Sequence, residues 1–224
     1  MRTITENFRK IVEKQSQMGY FFPTVLRPPV SLEEIRSVET KINFKFNKDL
    51  IELYSIHDGI DVPEIACGLL GLVPVHIFMK LEEATKYCID GLYHDEQFEN
   101  STKKYKPDLK LFPFLNEDGR CYWVDLNEGT EHYGKIYYCN SYYSEPDYAF
   151  ESLTSMFQTI AECYEQGVFY LEEEGYLSEN DTWYEIAKKN NPTLTEYRES
   201  WLNKFIKHYS YRFSVRSYVG NNCV

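Results

Sequence analysis

What most constrains this chain is the order in which its hydrophobic period changes. Through the first 54 residues apolar side chains recur at helical spacing. From Gly68 to Cys139 they come mainly in short runs punctuated by glycine, proline and Asn/Asp-Gly turns, and from Phe150 to Ala161 the helical spacing returns. Helices, then antiparallel strands, then a helix: that order predicts an α+β fold with a central, mostly antiparallel sheet covered by helices.

Local signals place the elements. Thr3 or Thr5 can cap a first helix carrying Ile4, Phe8, Ile11 and Val12, which ends near Met18-Gly19. Pro28-Pro29 stops regular structure, and Ser31-Leu32-Glu33-Glu34 then reads as a capping box opening a second helix. Its stripe of Leu32, Ile35, Val38 and Ile42 is suited to one-sided packing on a sheet. Asn47 caps a short third helix through Leu50, Leu53 and Tyr54, and Asp58-Gly59 supplies its left-handed stop. Leu69–Val73 and Pro74–Ile77 have the look of strands and turns, and Leu81–Cys88 that of a helix. Cys121–Asp125 and Ile136–Cys139 read as strands flanked by turns at Asn116–Gly119 and Asn127–Gly129. An amphipathic helix is expected over 150–166, and two further helical segments over 181–189 and 193–210. The chain thus divides into an N-terminal helix and lead-in (1–27), an α+β domain (28–170) and a helical extension packed on the same domain (171–224).

Composition removes several classes of function. With 24 basic against 35 acidic residues the formal net charge is −11, opposite to what a nucleic-acid binder needs to displace phosphate counterions. At 43% hydrophobic residues the chain is expected to fold on a core without metal or disulfide, burying roughly 70–75% of its unfolded surface. Its longest apolar stretch, Ile65–Met79, is broken by Gly68, Gly71, Pro74 and His76 and falls short of a bilayer span. The N-terminus has no apolar run of a secretory signal, and the six cysteines show no zinc-type spacing, so a cytoplasmic location with reduced thiols is expected.

Ser31-Leu32-Glu33-Glu34-Ile35 with Glu39, then Asp49-Leu50, Leu53-Tyr54 and Asp58-Gly59, resembles the opening signature of the SUKH superfamily, the fungal Smi and Knr cell-wall regulators and many bacterial immunity proteins. The resemblance continues through Phe112-Pro113-Phe114, Asp118-Gly119, Trp123-Val124-Asp125-Leu126, Gly134-Lys135-Ile136 and Phe150-Glu151-Ser152-Leu153 to Phe157, covering about residues 28 to 170. Phe46-Asn47 stands where the family usually has Leu-Pro, but asparagine can start the same helix as an N-cap. The resemblance implies a binding module, not an enzyme. In bacteria it implies a protein that neutralises a partner toxin, often a nuclease, by direct contact.

Charge distribution adds a candidate surface. Between Lys135 and Lys188 there is no basic residue, while eleven acidic ones carry the whole net charge. Interleaved with them are Tyr142, Tyr143, Tyr148, Tyr164, Tyr170, Tyr176 and Trp183, and rigid aromatics beside carboxylates suit contact with a cationic protein. A competing reading leaves the acids solvated and the tyrosines in the core. The tail, with seven bases against two acids from Lys188 onward, could also dock on the acidic segment. That would restrict the partner-binding surface to Tyr142, Tyr143, Glu145, Asp147 and the cluster Glu172, Glu173, Glu174, facing a basic cognate toxin.

Constellations for chemistry are weak. His57-Asp58 resembles the metal-binding pair of the HD phosphohydrolases but lacks companion histidines on neighbouring helices, and the favoured reading is that His57-Asp58-Gly59 ends a helix with the histidine near its negative end. Cys121 or Cys139 near His132 could be drawn as a nucleophile pair, yet both cysteines fall in β-runs. No catalytic residue, metal or cofactor is therefore expected, nor a nucleic-acid or membrane partner, and oligomeric state is left open. The alternatives are a regulatory scaffold like the fungal regulators and an unrecognised metal-dependent hydrolase.

Overall fold

The structure, a computed structural model, describes residues 2–62, 70–90, 110–117, 120–140 and 147–193. Side-chain caps open most of its helices. In α1 (Ile4–Gln17) the Thr3 hydroxyl accepts from the Glu6 amide at 3.1 Å while the Glu6 carboxylate accepts from the Thr3 amide at 2.8 Å. Ser31 and Glu34 make the same reciprocal pair for α2 (Leu32–Ile42) at 3.2 and 2.9 Å. Asn47 Oδ1 accepts from the Leu50 amide at 2.8 Å and starts α3 (Lys48–Tyr54). Because Asn47 is buried with that bond made, Asn47→Ala is expected to lower stability by about 1–2 kcal/mol in urea unfolding; a variant as stable as the parent would mean that packing alone holds α3.

The sheet has five strands in the order β1-β2-β3-β4-β5, every neighbour antiparallel. They are β1 (Ile77–Phe78), β2 (Leu111–Glu117), β3 (Arg120–Asp125), β4 (Ile136–Asn140) and β5 (Asp147–Phe150). Between β1 and β2 the chain forms α4 (Leu81–Asp90), whose first amide is capped from afar: Asp58 Oδ1 accepts from the Leu81 N–H at 2.8 Å. After β5 comes α5 (Leu153–Glu165), opened by Ser152 and Ser155, each accepting the other's amide at 3.0 Å.

Three expectations need correction. The helix expected from Phe150 begins at Leu153, because Ser152 is an extended cap and Phe150 is the last residue of β5. Phe150 mimics the helical period since strand end and helix face the same core. The described part of the apolar run before Ile77 is mostly a turn: the Leu72 amide donates to His76 O at 2.9 Å and the His76 amide to Val73 O at 3.1 Å, so among the described residues of this run only Ile77–Phe78 joins the sheet. Strand β2 was not expected. A bulge between Pro113 and Leu115 accommodates the proline and sends Phe112, Phe114 and Leu115 all into the core, which erases the alternation that marks a strand.

Packing explains the layering. Every residue of β3 is buried, and alternation puts Tyr122 and Val124 on one face, Cys121 and Trp123 on the other. The first face joins Phe112, Ile136 and Phe150 to the helices, where Phe8 of α1 stacks on Phe157 of α5 at 5.9 Å and meets Phe78 at 6.1 Å. The second face gathers Cys121, Trp123, Tyr137 and Tyr148. A buried polar chain ties the loop before β1 to the helices: Gln15 Nε2 donates to the Tyr164 hydroxyl at 2.7 Å, which donates to Leu72 O at 3.1 Å, and the Gly71 amide donates to the Tyr20 hydroxyl at 2.7 Å.

Beyond α5 the expected helix over 181–189 is α6 (Trp183–Asn190), but it is preceded by an unexpected two-stranded antiparallel ribbon, β6 (Phe169–Leu171) and β7 (Leu177–Glu179). The expected segment 193–210 lies, but for its first residue, outside the described residues. Cys88, Cys121 and Cys163 are free thiols.

Candidate functional site

The ribbon places most of what the charge analysis singled out. Phe169 faces Glu179, Tyr170 faces Ser178 and Leu171 faces Leu177, so strand alternation turns Phe169 and Leu177 into the core and Tyr170 outward. Between the strands Glu172–Gly175 closes a turn. The Gly175 amide donates to Glu172 O at 2.9 Å and the Glu172 amide to Tyr176 O at 2.9 Å, and Gly175 takes the left-handed conformation (φ +86°) that a side chain would strain. Glu173 and Glu174 are exposed at the tip, while half-buried Glu172 accepts a hydrogen bond from the Ser178 hydroxyl. Tyr170 and Tyr176 flank the turn at 43% and 37% exposure, high for aromatic rings.

Other members of the expected surface fare differently. Tyr142, Tyr143 and Glu145 lie outside the described residues, and Asp147 is the first residue of β5, paired through its backbone with Tyr138. Tyr148 and Tyr164 are buried, contrary to a surface role: Tyr164 spends its hydroxyl on Gln15 and Leu72, and Tyr148 bonds Tyr137 within the second core.

Several acids are also committed internally. Glu165 pairs with Arg2 at 3.1 Å, Glu162 with Lys189 at 2.9 Å, and Glu151 accepts from the Thr193 amide and hydroxyl at 2.6 Å. Burial disfavours the charged Glu162, but hydrogen bonds from Gln158 and Lys189 outweigh it and hold its carboxyl below the usual range. The Lys189–Glu162 ion pair and the Thr193–Glu151 hydrogen bonds join the start of the basic tail to the acidic segment.

Glu179 stands apart. Its Oε1 is buried with no hydrogen-bond partner among the described residues, and desolvation, reinforced by Asp181, pushes its carboxyl up to about 8. It lines a cleft beneath the ribbon together with His76, Tyr122, Phe150, Phe169 and Trp183. Residue-by-residue reading missed this site, since its walls come from separate parts of the chain. The only local trace is Glu179 standing two residues after Leu177, on the inward side of β7.

The constellations considered for chemistry are occupied otherwise. His57 Nδ1 meets Arg27 O at 2.7 Å, and Asp58 is shared between the Leu81 amide and Arg27 Nε at 3.1 Å. Cys121 contacts Asn116 in the second core and His132 stacks on Tyr148 at 4.7 Å. Among the described residues no group of three or more His, Cys, Asp or Glu is placed to hold a metal ion. Nor is any helix there long and apolar enough to cross a membrane.

A five-stranded antiparallel sheet with helices packed over one face, the helix after the last strand lying beside α1, defines a protein of the α+β class. Residues 29–162 match the model of the SMI1 / KNR4 family (SUKH-1), and the chain belongs to that family. No curated protein sequence matches it. The matched region ends within α5, so the ribbon, the Glu179 side of the cleft and α6 lie beyond it.

Proposed function

We propose that the chain is an immunity-type binding protein, acting in the cytoplasm without chemistry of its own, that neutralises a cognate toxin with a basic surface by direct contact. Family membership supports the class, since SUKH proteins generally bind partner proteins. The observation that carries the rest is the ribbon tip: Glu173 and Glu174 bare to solvent, held by a short rigid turn between two exposed tyrosines. Carboxylates at such a tip steer a cationic partner during encounter, and tyrosines supply contact area with little conformational freedom to lose. A nuclease is a fitting target because its phosphate-binding site presents the matching charge.

Co-purification with the product of the neighbouring gene, followed by rescue from its toxicity, tests the reading. A regulatory scaffold would instead be expected from an isolated gene. Reversing the tip with Glu172→Lys, Glu173→Lys and Glu174→Lys is expected to slow association about tenfold or more at low salt, with the gap closing as salt rises. Association rates unchanged at low salt would remove the ribbon as the contact.

A further inference from the structure

We propose that the cleft beneath the ribbon takes one lysine side chain of the partner protein, its ammonium seated on the Glu179 carboxylate within an aromatic wall. The inference rests on the reading of this chain as a binder of a basic protein and supplies that contact with an anchor. Glu179 from β7, Trp183 at the start of α6, Tyr122 of β3, Phe150 of β5 and Phe169 of β6 line the cleft, with aliphatic side chains such as Ile160 of α5 between them. A carboxylate set among aromatic rings at one space suits an alkylammonium group, because aromatic rings add cation–π attraction to the ion pair.

Size and charge select the occupant. The free space is about 30 Å³, enough for one or two groups the size of water, which suits an ammonium and excludes the broad planar guanidinium of arginine. An apolar side chain would leave Oε1 buried and unbonded, as it stands among the described residues. Asp181, two residues on, adds negative potential. In the empty cleft a carboxyl that titrates at about 8 is mostly protonated at pH 7. An arriving ammonium favours the ionised form, so occupation releases a proton to solvent, and binding strengthens from pH 7 to 9 while lysine remains charged. The titratable neighbours are His76 and Tyr122 on the wall, Cys163 of α5, and Asp181. The raised thiol of Cys163 stays neutral across this range.

The test is a titration of the full chain with acetyl-Gly-Lys-Gly-amide, read by NMR at the Glu179 side-chain carboxyl and the Trp183 indole. The norleucine and arginine versions of the peptide serve as comparisons. The lysine peptide is expected to bind at least about tenfold more tightly than either, to strengthen from pH 7 to 9, and to lower the Glu179 titration midpoint; Glu179→Gln should weaken it about tenfold. Equal responses to lysine and norleucine, or a midpoint unmoved by saturating peptide, would overturn the proposal and leave the cleft to water. A midpoint already low in the free chain, with no response to peptide, would assign the cleft to this chain's own basic segment and overturn it equally. Because the toxin takes no part in this titration, lysine selectivity can fail while the ribbon still steers the toxin, and the ribbon can fail while the selectivity holds.

Discussion

Gly59→Ala is expected to cost about 4 kcal/mol or more and to leave little folded protein in solution. Gly59 has φ +68°, where a β-carbon alone costs about 1–2 kcal/mol. The larger part comes from the neighbours: an added Cβ would stand 2.5 Å from both the Lys80 nitrogen and the Met79 carbonyl carbon. Those atoms are backbone, at the point where β1 hands over to α4, and cannot swing aside as a side chain would. The close approach lets Asp58 reach the Leu81 amide while the Arg27 amide donates to Gly59 O at 3.1 Å, so one glycine allows three distant segments to meet. Gly129→Ala is the control, with φ +81° and nothing within 4 Å of the added carbon; it is expected to show the conformational cost alone. Urea unfolding of the two variants side by side decides the matter, and near-equal losses would mean that the 79–80 backbone gives way cheaply.

Glu39→Ala is expected to cost about 3 kcal/mol, with a pH signature. The Glu39 side chain is fully buried, yet it accepts from Arg36 at 2.6 and 2.7 Å, from Lys45 at 3.0 Å and from the Phe46 amide at 2.9 Å. Burial raises its carboxyl, but those hydrogen bonds outweigh it and set it below the ordinary value of 4.5. A depressed folded-state value means that the ionised group stabilises the fold above the unfolded-state value. The contribution then fades as pH falls through the folded one. The partly exposed partners Arg36 and Lys45 are screened by solvent, so the Phe46 amide is the contact most costly to orphan. That bond fixes Phe46 against Phe112, 4.5 Å between ring centres, and with it the entry to α3. Unfolding free energies of parent and Glu39→Gln should therefore differ most at pH 7 and converge as the pH falls well below the ordinary carboxylate range. A gap that does not change with pH would assign the role of Glu39 to packing instead of charge.

What could be read in advance was what is decided within a few residues. The Ser31–Glu34 capping box, the cap at Thr3 or Thr5 and the cap at Asn47 are settled inside one helical turn, and the structure makes them at Ser31, Thr3 and Asn47. Asp58 was legible only as part of a stop; that it caps a helix 23 residues later is a fact of tertiary structure. Strand β2 hid behind Pro113 and its bulge, and the three-residue strands of the ribbon are too short to establish a period. Among the aromatics of the acidic segment, composition could not separate Tyr170 from Tyr164, because a tyrosine's ring suits a core and its hydroxyl suits water. Gln15 and the carbonyl of Leu72 decide the difference by giving Tyr164 buried partners. Glu179 looked like any other acid of its run, and only the convergence of β3, β5, β6 and α6 around it makes it distinct.

The ribbon hangs an exposed turn from a sunken root. Phe169, Leu177, Ile186 and Ala187 belong to the same core as the family-matched region, whereas the side chains of Glu173 and Glu174 point into solvent and support nothing beneath them. Drift at the tip therefore leaves the scaffold's stability almost untouched. If the tip is the recognition element proposed above, a lineage built on this plan can change what it recognises within two or three codons while inheriting its architecture intact.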